Sequence, residues 1–254
     1  MDKKTQIIAV AGKGGVGKTT TSINLAACLA EKGKKVLAVD MDPQGNLTSG
    51  LGVDKDSVEK SIYELIIGEV DIKEVINKEV LENLDIIPTS IDLSAAEIEL
   101  IGVDDKEYIL RNAIDQVKDQ YDFVIIDCPP SLSMLTINAM TNALTAATSV
   151  LVPIQCEYYA LEGLSQLIHT VELVKDRLNS KLEIEGVVFT MYDARTNLSL
   201  QVVENVKSYL NQNIYKTIIP RNVRLAEAPS HGLPINLYDP RSSGAESYDL
   251  LAEE

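Results

Sequence analysis

Gln6-Ile7-Ile8-Ala9-Val10-Ala11-Gly12-Lys13-Gly14-Gly15-Val16-Gly17-Lys18-Thr19-Thr20 runs from an apolar segment through a glycine-rich loop toward a helical pattern. Residues 6–11 have the length and unbroken apolarity of a strand buried on both faces. In the loop, Gly12-x-x-x-x-Gly17-Lys18-Thr19 matches the Walker A pattern, and residues 20–32 read as a helix directly after it. Glycines let successive backbone N–H groups converge on phosphate oxygens, and a helix N-terminus adds its positive end. In such a loop Lys18 spans the terminal phosphates and Thr19 offers an oxygen to a divalent cation. Lys13 exceeds what phosphate binding requires. Its position alone leaves it between an idle surface lysine and a functional one.

Beyond the loop, apolar runs recur at residues 35–40, 84–88, 123–127, 149–155, 184–191 and 215–220, with helical patterns between them. Short runs that are apolar throughout suit strands covered on both faces, so the expected fold is α/β, a doubly wound and mostly parallel sheet. Residues 159–179 place Leu161, Leu164, Leu167, Ile168, Val171 and Val174 on one helical stripe. The length of 254 residues fits one large domain spanning 1–254. The polar opening Met1-Asp2-Lys3-Lys4-Thr5-Gln6 predicts no secretory leader, and no apolar run is long enough to span a bilayer. Cys28, Cys128 and Cys156 lie far apart without a C-x-x-C pair, which predicts small buried residues in a reduced, cytoplasmic protein without zinc.

The formal charge of −15 argues against a surface broadly attractive to nucleic acid or anionic lipid. Residues 190–245 depart from it, with six basic side chains against four acidic ones. Two acidic elements accompany the loop. Phe123-Val124-Ile125-Ile126-Asp127 is an apolar strand ending in a carboxylate, the Walker B form, where Asp127 is expected on the Mg²⁺ side. Asp40-Met41-Asp42-Pro43-Gln44-Gly45-Asn46 closes the second strand with two carboxylates. Asp42 is the candidate to orient the attacking water, and Asp40 reads as a Mg²⁺-side or structural acid.

The segments 13–19, 42–46, 127–131 and 155–163 resemble the deviant Walker A ATPases of the ParA/MinD family. Pro220-Arg221-Asn222-Val223-Arg224-Leu225-Ala226-Glu227-Ala228-Pro229-Ser230-His231-Gly232 is similar to the chromosomal ParA (Soj) branch in particular. The resemblance covers nearly the whole chain. It implies an ATPase in which Gly12, Lys13, Gly14, Gly15, Val16, Gly17, Lys18, Thr19 and Thr20 wrap the nucleotide. Thr19, Asp42 and Asp127 then serve Mg²⁺, while Asp42, Lys13 and Lys18 serve hydrolysis. It further implies a homodimer formed with ATP, in which Lys13 contacts the phosphates of the opposite subunit and Gly14 stays small for a close approach. Adenine contacts fall near Met191, Pro220 and Asn222. Arg195 and Arg224 match arginines that bind double-stranded DNA without sequence preference. A ParB-type partner stimulates turnover, and the ATP form associates with the nucleoid.

Two other readings fit the same loop. A MinD-like positioning ATPase acting at a membrane calls for a basic amphipathic C-terminal helix, whereas this chain closes Tyr248-Asp249-Leu250-Leu251-Ala252-Glu253-Glu254. A nucleotide-regulated scaffold with negligible turnover is the other. Departures from the family pattern are also visible. Thr148 stands where an acidic residue is expected, the helix over residues 136–147 is about one turn too long, and the last helix stops early.

Overall fold

A computed structural model describes residues 4–130, 137–210 and 213–254. Met1, Asp2 and Lys3 of the polar opening, Ser131 of the 127–131 motif and Thr136 at the head of the expected 136–147 helix lie outside the described residues. The strands are β1 Gln6–Val10, β2 Val36–Asp40, β3 Asn77–Leu81, β4 Leu84–Ile87, β5 Phe123–Asp127, β6 Ser149–Gln155, β7 Glu183–Tyr192 and β8 Ile214–Pro220. They form one sheet in the order β3-β4-β2-β5-β1-β6-β7-β8. Every neighbouring pair is parallel except β3 with β4.

Alternation along β1 shows how both faces are used. Ile7 and Ala9 enter one core together with Leu164 and Leu167 of the helix Ala160–Arg177 and Leu144 of the helix Ile137–Ala146. Ile8 and Val10 enter the other, with Ile23, Leu25 and Leu29 of α1 (Lys18–Glu31) and with Tyr248 and Leu251 of the helix Ser243–Glu253. A period of two on a sheet covered on both sides requires apolar residues at every position, which is the pattern read from the chain. Of the stripe expected on the helix Ala160–Arg177, Leu164, Leu167, Val171 and Val174 are buried, and Leu161 and Ile168 pack at its margin.

β3 was not among the expected strands. Its sequence, Asn-Lys-Glu-Val-Leu, is largely polar, and Asn77, Lys78 and Glu79 are exposed. It forms because a two-residue turn at Glu82 and Asn83 returns the chain onto β4, with Asn83 in the left-handed region at φ 63°. Asp85 then ties the pair: it accepts from the Glu79 amide at 2.8 Å, from Lys78 Nζ at 2.8 Å and from the Tyr121 hydroxyl at 2.6 Å.

Thr148 has a structural occupation. Its hydroxyl donates to the Ile7 carbonyl at 2.9 Å and accepts from the Ile7 amide at 3.0 Å, while its own amide donates to the same carbonyl at 2.7 Å. A threonine thereby continues the β1–β6 ladder where an acid would lack a donor. Asn179 closes the helix before it, its Nδ2 donating to the carbonyls of Leu144, Thr145 and Ala147 at 3.1, 3.1 and 2.7 Å.

In the strand order, β1 stands between β5 and β6, so the connections from β1 to β2 and from β5 to β6 leave in opposite directions. In open α/β sheets a ligand crevice opens at the carboxyl ends of the strands at such a switch point. The glycine loop leaves β1 there.

Candidate nucleotide-binding site

The loop is held in shape by its glycines and by β7. Gly15 and Gly17 have φ of 82° and 86°, which an L side chain adopts only under strain. Gly17 directly precedes α1, and Thr190 Oγ1, near the end of β7, donates to the Val16 carbonyl at 2.8 Å. A side chain at Gly12 would crowd the loop, since a Cβ would sit 3.1 Å from Val16 Cγ2. Gly14 has room among the described residues: of these a Cβ there meets only Pro130 Cβ, at 3.8 Å, so none of them demands glycine.

Lys18 opens α1 and is 7 % exposed. Its Nζ donates to the Lys13 carbonyl at 3.0 Å. Burial pulls its pKa below the usual lysine range, against the attraction of Asp127 and Asp42. Lys13 itself is exposed, and its Nζ lies 5.7 Å from the centre of the Tyr159 ring.

The carboxylates meet beside the loop. Asp40 and Asp127 are paired in register as the last residues of β2 and β5, and both are fully buried. Asp127 accepts from Thr19 Oγ1 at 2.7 Å and from Ser22 Oγ at 2.9 Å. Burial raises its pKa well above the ordinary carboxylate range and Asp40 adds to the rise, while the two hydroxyls and Lys18 oppose it. Asp40 is also raised by burial, and it accepts from Thr48 N at 2.8 Å, Thr48 Oγ1 at 2.7 Å and Asp42 N at 3.2 Å. That arrangement makes Asp40 the anchor of the turn carrying Asp42. Asp42 is buried and accepts from the Gln44 amide at 3.0 Å.

Thr19 and Asp127 thus offer adjacent hard oxygens, the donor type that Mg²⁺ takes, and Mg²⁺ commonly keeps only one or two protein carboxylates beside phosphate and water. Among the described residues no group of three or more His, Cys, Asp or Glu side chains could hold a metal alone. The residues fit a cation that shares its shell with phosphate.

A cleft of about 170 Å³ opens next to the loop, lined by Gly17, Thr20, Met191, Pro220 and Asn222 together with Tyr248. The expected base-contacting segments therefore share one cavity with the start of α1. Met191 has a φ of 51°, uncommon for a residue other than glycine, and the Arg221 amide donates to the Tyr192 carbonyl at 2.9 Å, binding the two segments together.

Arg195 and Arg224 follow the ends of the adjacent strands β7 and β8. Neither presents a bare charge. Arg195 is bidentate to Asp193, with Nε and Nη2 donating at 2.9 and 2.7 Å, and this bond holds the Asp193 carboxyl down at about 2. Arg224 pairs with Glu227 at 2.9 Å and approaches Asp239 at 3.5 Å. Each guanidinium meets a carboxylate of its own chain first.

Ser22, Thr48 and Thr190 were not among the expected site residues. Ser22 could have been found, because it lies three residues after Thr19 on the same face of α1. No local signal marks Thr190, whose partner Val16 is distant in sequence, and Thr48 meets Asp40, eight residues earlier, only through the turn between them.

The model of the AAA domain matches residues 5–184. The chain is 60% identical over 250 residues to the sporulation initiation inhibitor protein Soj of Bacillus subtilis, covering 98% of this chain and 97% of that protein. It belongs to the ParA/MinD family, in the chromosomal Soj branch. Another ParA relative, the chromosome partitioning protein ParA of Myxococcus xanthus, is 52% identical over 242 residues, 95% of this chain and 84% of that protein. The ParA/MinD fold extends to a structure of cobyrinic acid a,c-diamide synthase from Mycobacterium smegmatis with bound ATP analog and magnesium. It matches with a TM-score of 0.85 at 36% identity, covering 98% of this chain and 93% of that one.

Proposed function

We propose that the chain is a Mg²⁺-dependent ATPase of the ParA type, a switch that dimerises with ATP and partitions DNA, with residues 1–254 acting as one ATPase unit. The observation that carries this reading is the buried Lys18 in its glycine loop beside the joined Thr19 and Asp127, in a chain so similar to Soj along its whole length. In this reading residues 12–20 wrap the triphosphate with backbone N–H groups, and Lys18 balances the charge of its terminal phosphates. Mg²⁺, when held from Thr19 and Asp127, would neutralise phosphate charge. Asp42 orients the attacking water, held by a turn that Asp40 and Thr48 anchor. Pro220, Asn222 and Met191 receive the base.

Lys13 and Gly14 then act across a dimer. The exposure of Lys13 and the room that the described residues leave beside Gly14 support a constraint that comes from a second subunit. Arg195 and Arg224 contact phosphates of double-stranded DNA without reading bases, exchanging in-chain carboxylates for DNA phosphate. A ParB-type partner accelerates hydrolysis and resets the switch, which works in the cytoplasm on the nucleoid. The helix Ser243–Glu253 gives no support to a membrane-acting reading, because it is packed on α1 through Tyr248 and Leu251 and tied there by Lys32 to Asp249 at 2.6 Å. Among the described residues no helix is long and apolar enough to cross a membrane.

Gel filtration of wild type and Asp42→Ala with ADP and with ATP tests the reading. A monomer with ADP and a dimer with ATP, persistent in Asp42→Ala, is expected. The same elution volume with both nucleotides would sink the switch.

A further inference from the structure

The loop directs the backbone and the side chain of Lys13 to different places. Its carbonyl faces inward and accepts the Lys18 ammonium at 3.0 Å. Its side chain turns away and lies against the start of the helix Ala160–Arg177. There Nζ sits over the Tyr159 ring at 5.7 Å from the centroid, within the range where a cation is attracted by an aromatic face. The lysine stem runs along Gly163: a Cβ on that glycine would meet Lys13 Cδ at 3.4 Å and Lys13 Cβ at 3.5 Å. The stem thus lies along the helix at Gly163, and Tyr159 supplies its end point. Tyr158 stands edge-on to Tyr159, with centroids 5.2 Å apart and planes at 89°, which restrains the ring that receives the lysine. Both tyrosines are otherwise largely exposed, at 78% and 62%.

We infer that Tyr159 is a positioning residue for Lys13, a rest that holds the lysine back along Gly163 in the single protomer and sets the threshold for ATP-driven dimerisation. The inference rests on the role of Lys13 across the dimer proposed above. A lysine that reaches a partner's phosphates must leave the ring first, so the rest opposes the dimer by the strength of the cation–ring contact. At an exposed site that contact amounts to a factor of about two to five per lysine. A symmetric dimer releases two lysines. Removing the ring should tighten the dimer by the square of that factor, about four- to twenty-fivefold. Tyr159 precedes the helix without making a side-chain cap bond, so its replacement removes no cap.

The test compares wild type, Tyr159→Leu and Tyr159→Phe. In the nucleotide-free protein, NMR of labelled lysine should show the Lys13 side-chain methylene signals shifted upfield by the ring, unshifted in Tyr159→Leu and still shifted in Tyr159→Phe. Sedimentation with a non-hydrolysable ATP analogue should then give a dimer dissociation constant about four- to twenty-fivefold lower for Tyr159→Leu, and a value near wild type for Tyr159→Phe. Absence of the upfield shift in wild type overturns the rest itself. An unchanged or weaker dimer in Tyr159→Leu overturns its role as a threshold. A wild type that forms no dimer with the analogue overturns the proposed switch, and the threshold with it, while the NMR result still decides separately whether Tyr159 holds Lys13.

Discussion

Lys13 and Lys18 are neighbours in one loop, yet the fold gives them opposite surroundings: Lys18 is buried beside Asp127 and Asp42, and Lys13 is exposed beside Tyr159. The two alanine variants should therefore fail differently. Lys18→Ala removes a charge-assisted contact from the protomer's own site, and nucleotide affinity should drop about ten- to hundredfold. Lys13→Ala should keep nucleotide binding by the monomer, read by titration with a fluorescent ATP analogue, and lose the dimer. Equal loss of monomer binding in both variants would make Lys13 an ordinary contact within its own subunit. At Asp42 the expected loss is turnover. Alanine leaves Lys18, Thr19 and Asp127 in place, so nucleotide should bind while steady-state hydrolysis falls at least about a hundredfold. Hydrolysis at the wild-type rate would assign the water to another group.

The loop and the helix ends depend on bonds that reach between elements. Thr190 Oγ1 ties β7 to the Val16 carbonyl, so Thr190→Val keeps the shape of the side chain and deletes the donor. A neutral hydrogen bond of this kind contributes about 0.5–1.5 kcal/mol to stability, so the urea midpoint should fall modestly, and loosening of the loop should weaken nucleotide binding by at most about tenfold. An affinity equal to wild type by calorimetry would show that the loop keeps its shape without β7. Asn179→Ala carries a different signature. It leaves the carbonyls of Leu144, Thr145 and Ala147 without the donor that caps them, at a cost of about 1–3 kcal/mol. Urea unfolding should show a lower midpoint with an unchanged slope, and nucleotide affinity should hold.

Across the whole molecule, a chain of formal charge −15 that is proposed to bind DNA has to collect its positive charge locally. The proposal places that charge on Arg195 and Arg224, at the ends of adjoining strands, where each would exchange a carboxylate of its own chain for phosphate. Charge reversal to glutamate at either position should weaken binding to unrelated duplexes alike, because phosphate contacts carry no base information. The dependence of log K on log salt should flatten by about 0.9 for each phosphate that the protein no longer neutralises, doubled in a symmetric dimer. ATP-dependent dimerisation should survive both changes. Filter binding at several salt concentrations measures this, and an unaltered affinity and slope in both variants would move the DNA surface elsewhere.

Local pattern was enough for the glycine loop, for seven of the eight strands among the described residues and for the acidic strand ends at Asp40 and Asp127, because each of these is a short-range signal. A buried strand must be apolar at every position, and a phosphate loop needs glycine where the backbone turns left-handed, so both leave their mark within a few residues. β3 left no such mark. Its residues are mostly polar, and its pairing rests on the turn at Glu82 and Asn83 and on the convergence of Asp85, Lys78 and Tyr121. The same holds for Thr48 under Asp40, Thr190 behind Val16, Asn179 beneath the helix Ile137–Ala146 and Tyr159 under Lys13. Each is a polar or aromatic side chain whose partner is set by how the chain turns or where folding delivers another element, and a hydrogen bond or ring contact depends on distance in space, which residue order alone does not encode.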